Sequence, residues 1–198
     1  KHEKRPDQHD LAVLARITDK ALPNEIPKIA LPYMHMTHER ARMDRAGVSH
    51  IHHFFLPRAA QALGILWRKA TAHPDTRIRH MLIFFVEQSI WGMSAMNRYQ
   101  PIMHGRPGGS QVNRQMTGVY YISSQISECS PLYNLEGKAN RLPKAFGKEY
   151  VQSFGVAIGA GSTTALQSSD NSIAYIYTDP PFGENIYYAD LNFLVESW

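Results

Sequence analysis

Apolar residues recur at helical spacing along the first half of the chain and at strand-like spacing near its end. Leu11, Leu14, Ala15 and Ile17 predict a short helix after a charged, solvated start. Pro23, Pro27 and Pro32 then favour an extended crossing over 21–36. Thr37 or His38 opens a short charged helix that runs to Arg45 and is ended by Gly47, and "SHIHHFF" follows as a strand or turn of aromatic character. Pro57 suits the first turn of a helix through "RAAQALGILWRKATA", where its missing N–H has no intrahelical partner to lose. Leu63, Leu66 and Trp67 fall at i, i+3 and i+4 and mark the core face of that helix. A second helix over 76–97 is the most hydrophobic segment, and the two together predict a helical hairpin.

The pattern changes after residue 100. "HGRPGGSQVNRQMTG" is a polar, Gly-rich loop, "VYYISS" predicts a strand, and "PLYNLEGKANRLPKAF" predicts a loop leading into a helix interrupted by Pro143. Further on, "YVQSFGVAIGAG" and "NSIAYIYT" predict two strands joined by a turn or short helix, and "YADLNFLVESW" a closing helix. The expected class is α/β, with a mainly helical region over 1–148 and a strand-bearing part over 149–198. Internal repeats and low-complexity tracts are absent from the sequence.

Composition narrows the class. With 198 residues, 43% of them hydrophobic, the chain has enough apolar material for a core, which excludes disorder for most of its length. Lys and Arg number 21 against 17 Asp and Glu, a net charge of +4 that permits an anionic partner without demanding one. Cys129 is the sole cysteine, so a disulfide framework and a Cys-based zinc site are excluded, and a reducing, cytoplasmic setting is expected. The run "HMLIFFVEQSIWGM" contains Glu87 and Gln88 and is too short to span a bilayer, and the charged N-terminus does not read as a signal peptide. No membrane partner is expected. The chain begins without Met in a charged stretch and stops at Trp198 on an apolar pattern, so a piece of a longer protein is expected.

The stretch "IYTDPPFGENIYY" carries the most chemistry. Two consecutive prolines remove two backbone donors and fix two φ angles, so the strand predicted before them must end there. The end of a strand in an α/β sheet is where ligand crevices form. The Asp179 carboxylate and the Pro180 carbonyl are pure acceptors, suited to an N–H₂ group, and Phe182 offers a π-face for a planar ring. Together they suit the exocyclic amine of a flipped base. Two acceptors on the amine hydrogens would stabilise the positive charge that develops as a methyl group arrives.

"DPPF" resembles the catalytic motif of the DNA methyltransferases that act on adenine N6 or cytosine N4 with S-adenosylmethionine. "SSDNSIAYIYTDPPFGENIYYADLNFLVESW" is similar to the strand, motif and following helix of a bacterial DNA methylase group. "AGVSHIHHFFLPRAAQALGILW", "NRYQP", "GGSQVNRQMTG" and "YNLEGKANRL" resemble further segments of it. The resemblance implies a helical region followed by part of a Rossmann-like methyltransferase sheet, with DNA as partner and adenine N6 preferred over cytosine N4. It implies catalytic roles for Asp179, Pro180, Pro181 and Phe182, and places Gly183 and Asn185 in the same tip as substrate-binding residues. The family's glycine-rich cofactor motif has no match here, so the resemblance implies an incomplete S-adenosylmethionine site and a piece inactive by itself. Related enzymes acting on RNA or a glutamine amide more often carry Asn where this chain has Asp179, which favours DNA. A cut sheet would also expose an edge through which a homodimer could form.

Other candidates divide between chemistry and packing. "FGVAIGAGSTT" imitates a cofactor loop, but too few residues separate it from the Asp179 strand for the roughly 30-residue βαβ unit. Arg106 and Arg114, with Arg98, flank the Gly-rich loop and either reach DNA phosphates or are simply solvated. His50, His52 and His53 are expected to be structural rather than metal ligands, and no metal site is expected. The rival class is a non-catalytic DNA-binding or scaffolding module in which the D-P-P-F tip is a structural turn.

Overall fold

The computed structural model describes residues 4–38, 43–103, 106–107, 109, 111–112, 114–116, 119–146, 159, 161–162, 164–180 and 187–198. Six α-helices are present among them: α1 (Gln8–Thr18), α2 (Met43–Ala46), α3 (Pro57–Thr71), α4 (Thr76–Glu87), α5 (Pro131–Phe146) and α6 (Tyr188–Glu196). Local chemistry explains most of their ends. Asp7 and Asp10 form a reciprocal capping box at α1, each accepting the other's backbone N–H at 2.9 and 3.0 Å, and Lys4 bridges both carboxylates. Pro57 occupies the first turn of α3, and Asp75 caps α4 by accepting the Ile78 N–H at 2.9 Å. Gly47, at φ +71°, closes α2 in the left-handed region, and the Val48 N–H reaches back to the Met43 carbonyl.

α3 and α4 pair as the expected hairpin. The second helix is shorter than expected over 76–97. After Glu87 the Ser89 N–H and hydroxyl both donate to the Val86 carbonyl, and the chain turns inward. Ile90, Met93 and Met96 are thereby buried, with a 3-10 turn at Trp91–Met93. "SHIHHFF" is a 3-10 helix (Ile51–Phe54), whose Ile51 and Phe54 are fully buried. These residues, Leu63 of α3 and Leu194 of α6 belong to one core. The 21–36 crossing, expected to be extended, turns at 24–26, and where it meets α3 Gly64 is required: a Cβ there would stand 2.5 Å from the Pro23 Cβ. Among the described residues no helix is long and apolar enough to cross a membrane.

The α/β expectation is overturned. Among the described residues the fold is helical, with no β-strand and no Rossmann-like sheet; the only pairings are isolated bridges, Ala30 with His50 and Arg98 with Ile126. In "VYYISS" the alternation exists, with Tyr120 and Ile122 buried, but no neighbouring strand completes a ladder. In "NSIAYIYT" residues 175–177 form neither helix nor strand, and Tyr175 and Tyr177 are each 80% exposed and Ile176 66% exposed. Alternation creates an apolar face, but a strand also needs a partner for its N–H and C=O groups and a layer to cover that face. Neither is present beside 172–180 among the described residues, so the sheet edge expected to pair two copies is not there either. "PLYNLEGKANRLPKAF" is likewise not a loop but the whole of α5, with Pro143 inside its last turn. Most of the strand predicted over 150–161 lies outside the described residues.

Candidate functional site

An exposed arm leads to the D-P-P-F motif, and a firmly held helix follows it in the chain. Asp179 and Pro180 end the arm, both solvent-exposed, while Pro181, Phe182, Gly183 and Asn185 lie outside the described residues. The chain resumes at Tyr187, whose ring stacks on His35 at 4.1 Å with the planes 10° apart. α6 follows at once. Its Asp190 carboxylate is buried and accepts the Met36 N–H at 2.8 Å. The Tyr120 hydroxyl donates to the Leu191 carbonyl at 2.8 Å and accepts the Leu194 N–H at 2.9 Å, joining the middle of the chain to α6. Burial pushes the Tyr120 phenol well above its usual range, the Leu194 hydrogen bond partly opposing it. Beyond α6, Trp198 packs its ring against Phe55 and Trp67. The helix that follows the motif in the chain is thus held to the core from both its ends.

Arg106 and Arg114 belong to a loop that is folded back on the core. Asn97, fully buried, holds it: the side-chain amide donates to the carbonyls of Gln111 at 2.8 Å and Ser127 at 2.7 Å, and its oxygen accepts the Arg114 N–H at 2.8 Å. Arg98 Nε donates to the Arg114 carbonyl, and the Gln111 side chain pairs with both backbone groups of Gln100. The Arg106 side chain is exposed, whereas Arg114 is half-buried. Cys129 is buried, and its thiol donates to the Gln111 carbonyl at 3.3 Å. The Asn97 support went unread in the sequence because its partners lie 14 to 30 residues away.

Two cavities adjoin these elements. One of 350 Å³ is lined by Arg58, Met93, Glu128 and Cys129, with Arg58 and Glu128 paired through two hydrogen bonds. The other, 470 Å³, lies against α5 and is lined by Tyr133, Asn134, Glu136, Lys138 and Arg141, with Val112 from the Gly-rich loop. Sequence reasoning missed this second pocket, although Asn134, Lys138 and Arg141 stand at i, i+4 and i+7 and so share a helix face. His50, His52 and His53 cluster with ring centroids 4.2 to 5.4 Å apart. Burial, and then the neighbouring His53, His50 and Lys28, hold His52 below the usual imidazole range. Among the described residues no group of three or more His, Cys, Asp or Glu could hold a metal ion.

S-adenosylmethionine would need a cradle for its amino acid and ribose. The described residues do not provide the strand, glycine turn and helix that such a cradle requires, and most of "FGVAIGAGSTT" lies outside them. Of the D-P-P-F motif the described residues include Asp179 and Pro180, both exposed. No protein-family model, no curated protein and no solved structure matches the chain.

Proposed function

We propose that the chain carries the amine-holding tip of an S-adenosylmethionine-dependent DNA amino-methyltransferase, with adenine N6 preferred over cytosine N4. The observation that carries the reading is the sequence Asp179-Pro180-Pro181-Phe182, with an exposed carboxylate at 179 and, further along the chain, a helix tied to the core by Asp190. In this reading Asp179 and the Pro180 carbonyl accept the two hydrogens of the target amine, draw its lone pair out of conjugation and stabilise the charge formed during transfer. Phe182 stacks on the flipped base, and Gly183 and Asn185 shape the same tip. The net charge of +4, with Arg106 and Arg114 on the pinned loop, fits a DNA partner.

The test is transfer of label from methyl-labelled S-adenosylmethionine to adenine-containing DNA. It is run with the 198-residue chain and with the same chain extended upstream, each with Asp179 intact and as Asp179→Ala. The reading requires transfer by the extended protein and a loss of at least about a hundredfold in Asp179→Ala, the order found when one group stabilising transition-state charge is removed. Transfer that survives Asp179→Ala undiminished refutes it. The scaffolding alternative is favoured by one observation, the exposure of Ile173, Tyr175, Ile176 and Tyr177 along the arm. Under it, salt-dependent DNA binding would persist unchanged in Asp179→Ala and no transfer would occur in any form.

A further inference from the structure

We propose that the 470 Å³ pocket on α5 binds a purine nucleotide, with Asn134 reading the base edge and Lys138 and Arg141 holding the phosphate. The starting point is an unpaid polar group. Asn134 is 3% exposed, and its side-chain oxygen has no hydrogen-bond partner among the described residues. Its side-chain nitrogen has only the Ser89 carbonyl, at the 3.5 Å limit of a hydrogen bond. An acceptor this deeply buried and unpartnered is costly, so a site that leaves one open points to a ligand that satisfies it.

The surroundings define that ligand. Asn presents an acceptor and a donor side by side, which matches the N6 donor and N7 acceptor of adenine in a bidentate pair. Tyr133, half-exposed on the same wall, offers a ring face for stacking. Lys138 and Arg141 give two positive charges against the single carboxylate of Glu136, a balance that suits one phosphate group and not a triphosphate. Lys138 forms no ion pair among the described residues. Arg141 is already oriented, because its Nε donates to the Gly137 carbonyl at 2.8 Å and Gly137 has no side chain to displace it. A Cβ at Gly137 would stand 3.1 Å from Arg141 Nη2. The volume lies within the roughly 300–1,000 Å³ range of small-ligand pockets.

The same chemistry occurs in a free nucleotide and in one unit of a single strand. Calorimetric titration of the 198-residue chain with AMP, CMP, inorganic phosphate and single-stranded oligo-dA separates these sources. Saturable binding of AMP, or of oligo-dA alone, supports the pocket and identifies its occupant. Lys138→Ala and Arg141→Ala should each weaken that binding about tenfold, as expected for a lost charge-assisted hydrogen bond. Gly137→Ala separates a binding role from a structural one: alanine favours the helix and should raise the melting temperature, while displacing Arg141 and weakening binding several-fold. Loss of binding in Lys138→Ala, a residue of α5 outside the D-P-P-F tip, keeps this result distinguishable from the methyl-transfer reading. The proposal is overturned by equal affinity for CMP, by phosphate binding as tightly as AMP, by undiminished binding in Lys138→Ala, or by no binding of any probe at millimolar concentration.

Discussion

Asn97→Ala is expected to destabilise the chain more than any other single polar truncation named here, and to release the Gly-rich loop. The side chain satisfies three backbone groups in two segments: the carbonyl of Gln111 and the N–H of Arg114 in the Gly-rich loop, and the carbonyl of Ser127. A buried group left without its partner costs about 1–3 kcal/mol. The three are neighbours, so their losses do not simply add, and the half-buried Gln111 and Arg114 recover part through water. A total of about 3–5 kcal/mol follows from that per-group cost. Against the roughly 5–15 kcal/mol that stabilises a typical domain, this is a large share. It corresponds to a fall in melting temperature of roughly 6–20 °C for a chain of this size.

Urea unfolding followed by tryptophan fluorescence measures the energy, and limited trypsin digestion at Arg106 and Arg114 reports the loop. Faster cleavage at those two arginines should accompany the loss of stability, since both lie in the segment that Asn97 holds. Asn97→Asp is the sharper control. It keeps an acceptor for the Arg114 N–H but replaces the amide donor with a carboxylate oxygen facing two carbonyls, so it should be at least as damaging as alanine. A cost below about 1 kcal/mol for Asn97→Ala, set against the ordinary penalty for an orphaned group, with unchanged cleavage, would refute the assignment of Asn97 as the loop's anchor.

Gly64→Ala should destabilise despite alanine's better helix propensity, because the new methyl would meet Pro23 at 2.5 Å; overpacking of about 1–3 kcal/mol outweighs a gain of about 1. Greater stability in a thermal melt would show that the 21–36 crossing yields freely. Tyr120→Phe removes both hydrogen bonds to α6 and leaves the Leu194 N–H and Leu191 carbonyl less well satisfied, so urea titration should register a loss of about 1–3 kcal/mol. His52 gives a pH dependence of definite sign. Its folded-state value is depressed, so below about pH 6.5 the unfolded chain takes up a proton that the folded chain resists, and stability falls as pH drops through that region. A His52→Gln chain should lose part of that acid sensitivity in melts between pH 7 and 5, whereas an unchanged pH profile would assign the sensitivity elsewhere.

Helices were legible where their signals were local. The aspartates at 7 and 75, Pro57 and Gly47 act within a turn of where they stand, and each marks an end of its helix. Strands were not, because period-two alternation reports only which side chains share a face. Tyr120 and Ile122 satisfy it by packing into a helical core, and Tyr175 and Tyr177 satisfy it while largely exposed. Neither fact is contained in the residues themselves. The same non-locality hid the Asn97 anchor, a single amide whose partners are supplied by the Gly-rich loop and by Ser127. The α5 pocket is the opposite case. Its spacing of Asn134, Lys138 and Arg141 is local, but the segment predicts a loop leading into a helix interrupted by Pro143, which divides that face. Pro143 lies in the last turn, where a ring that removes one hydrogen bond near a fraying end costs less than it would mid-helix. A proline this close to the helix end leaves the face intact, and along that face the Asn134 amide is followed by two cations, at i+4 and i+7.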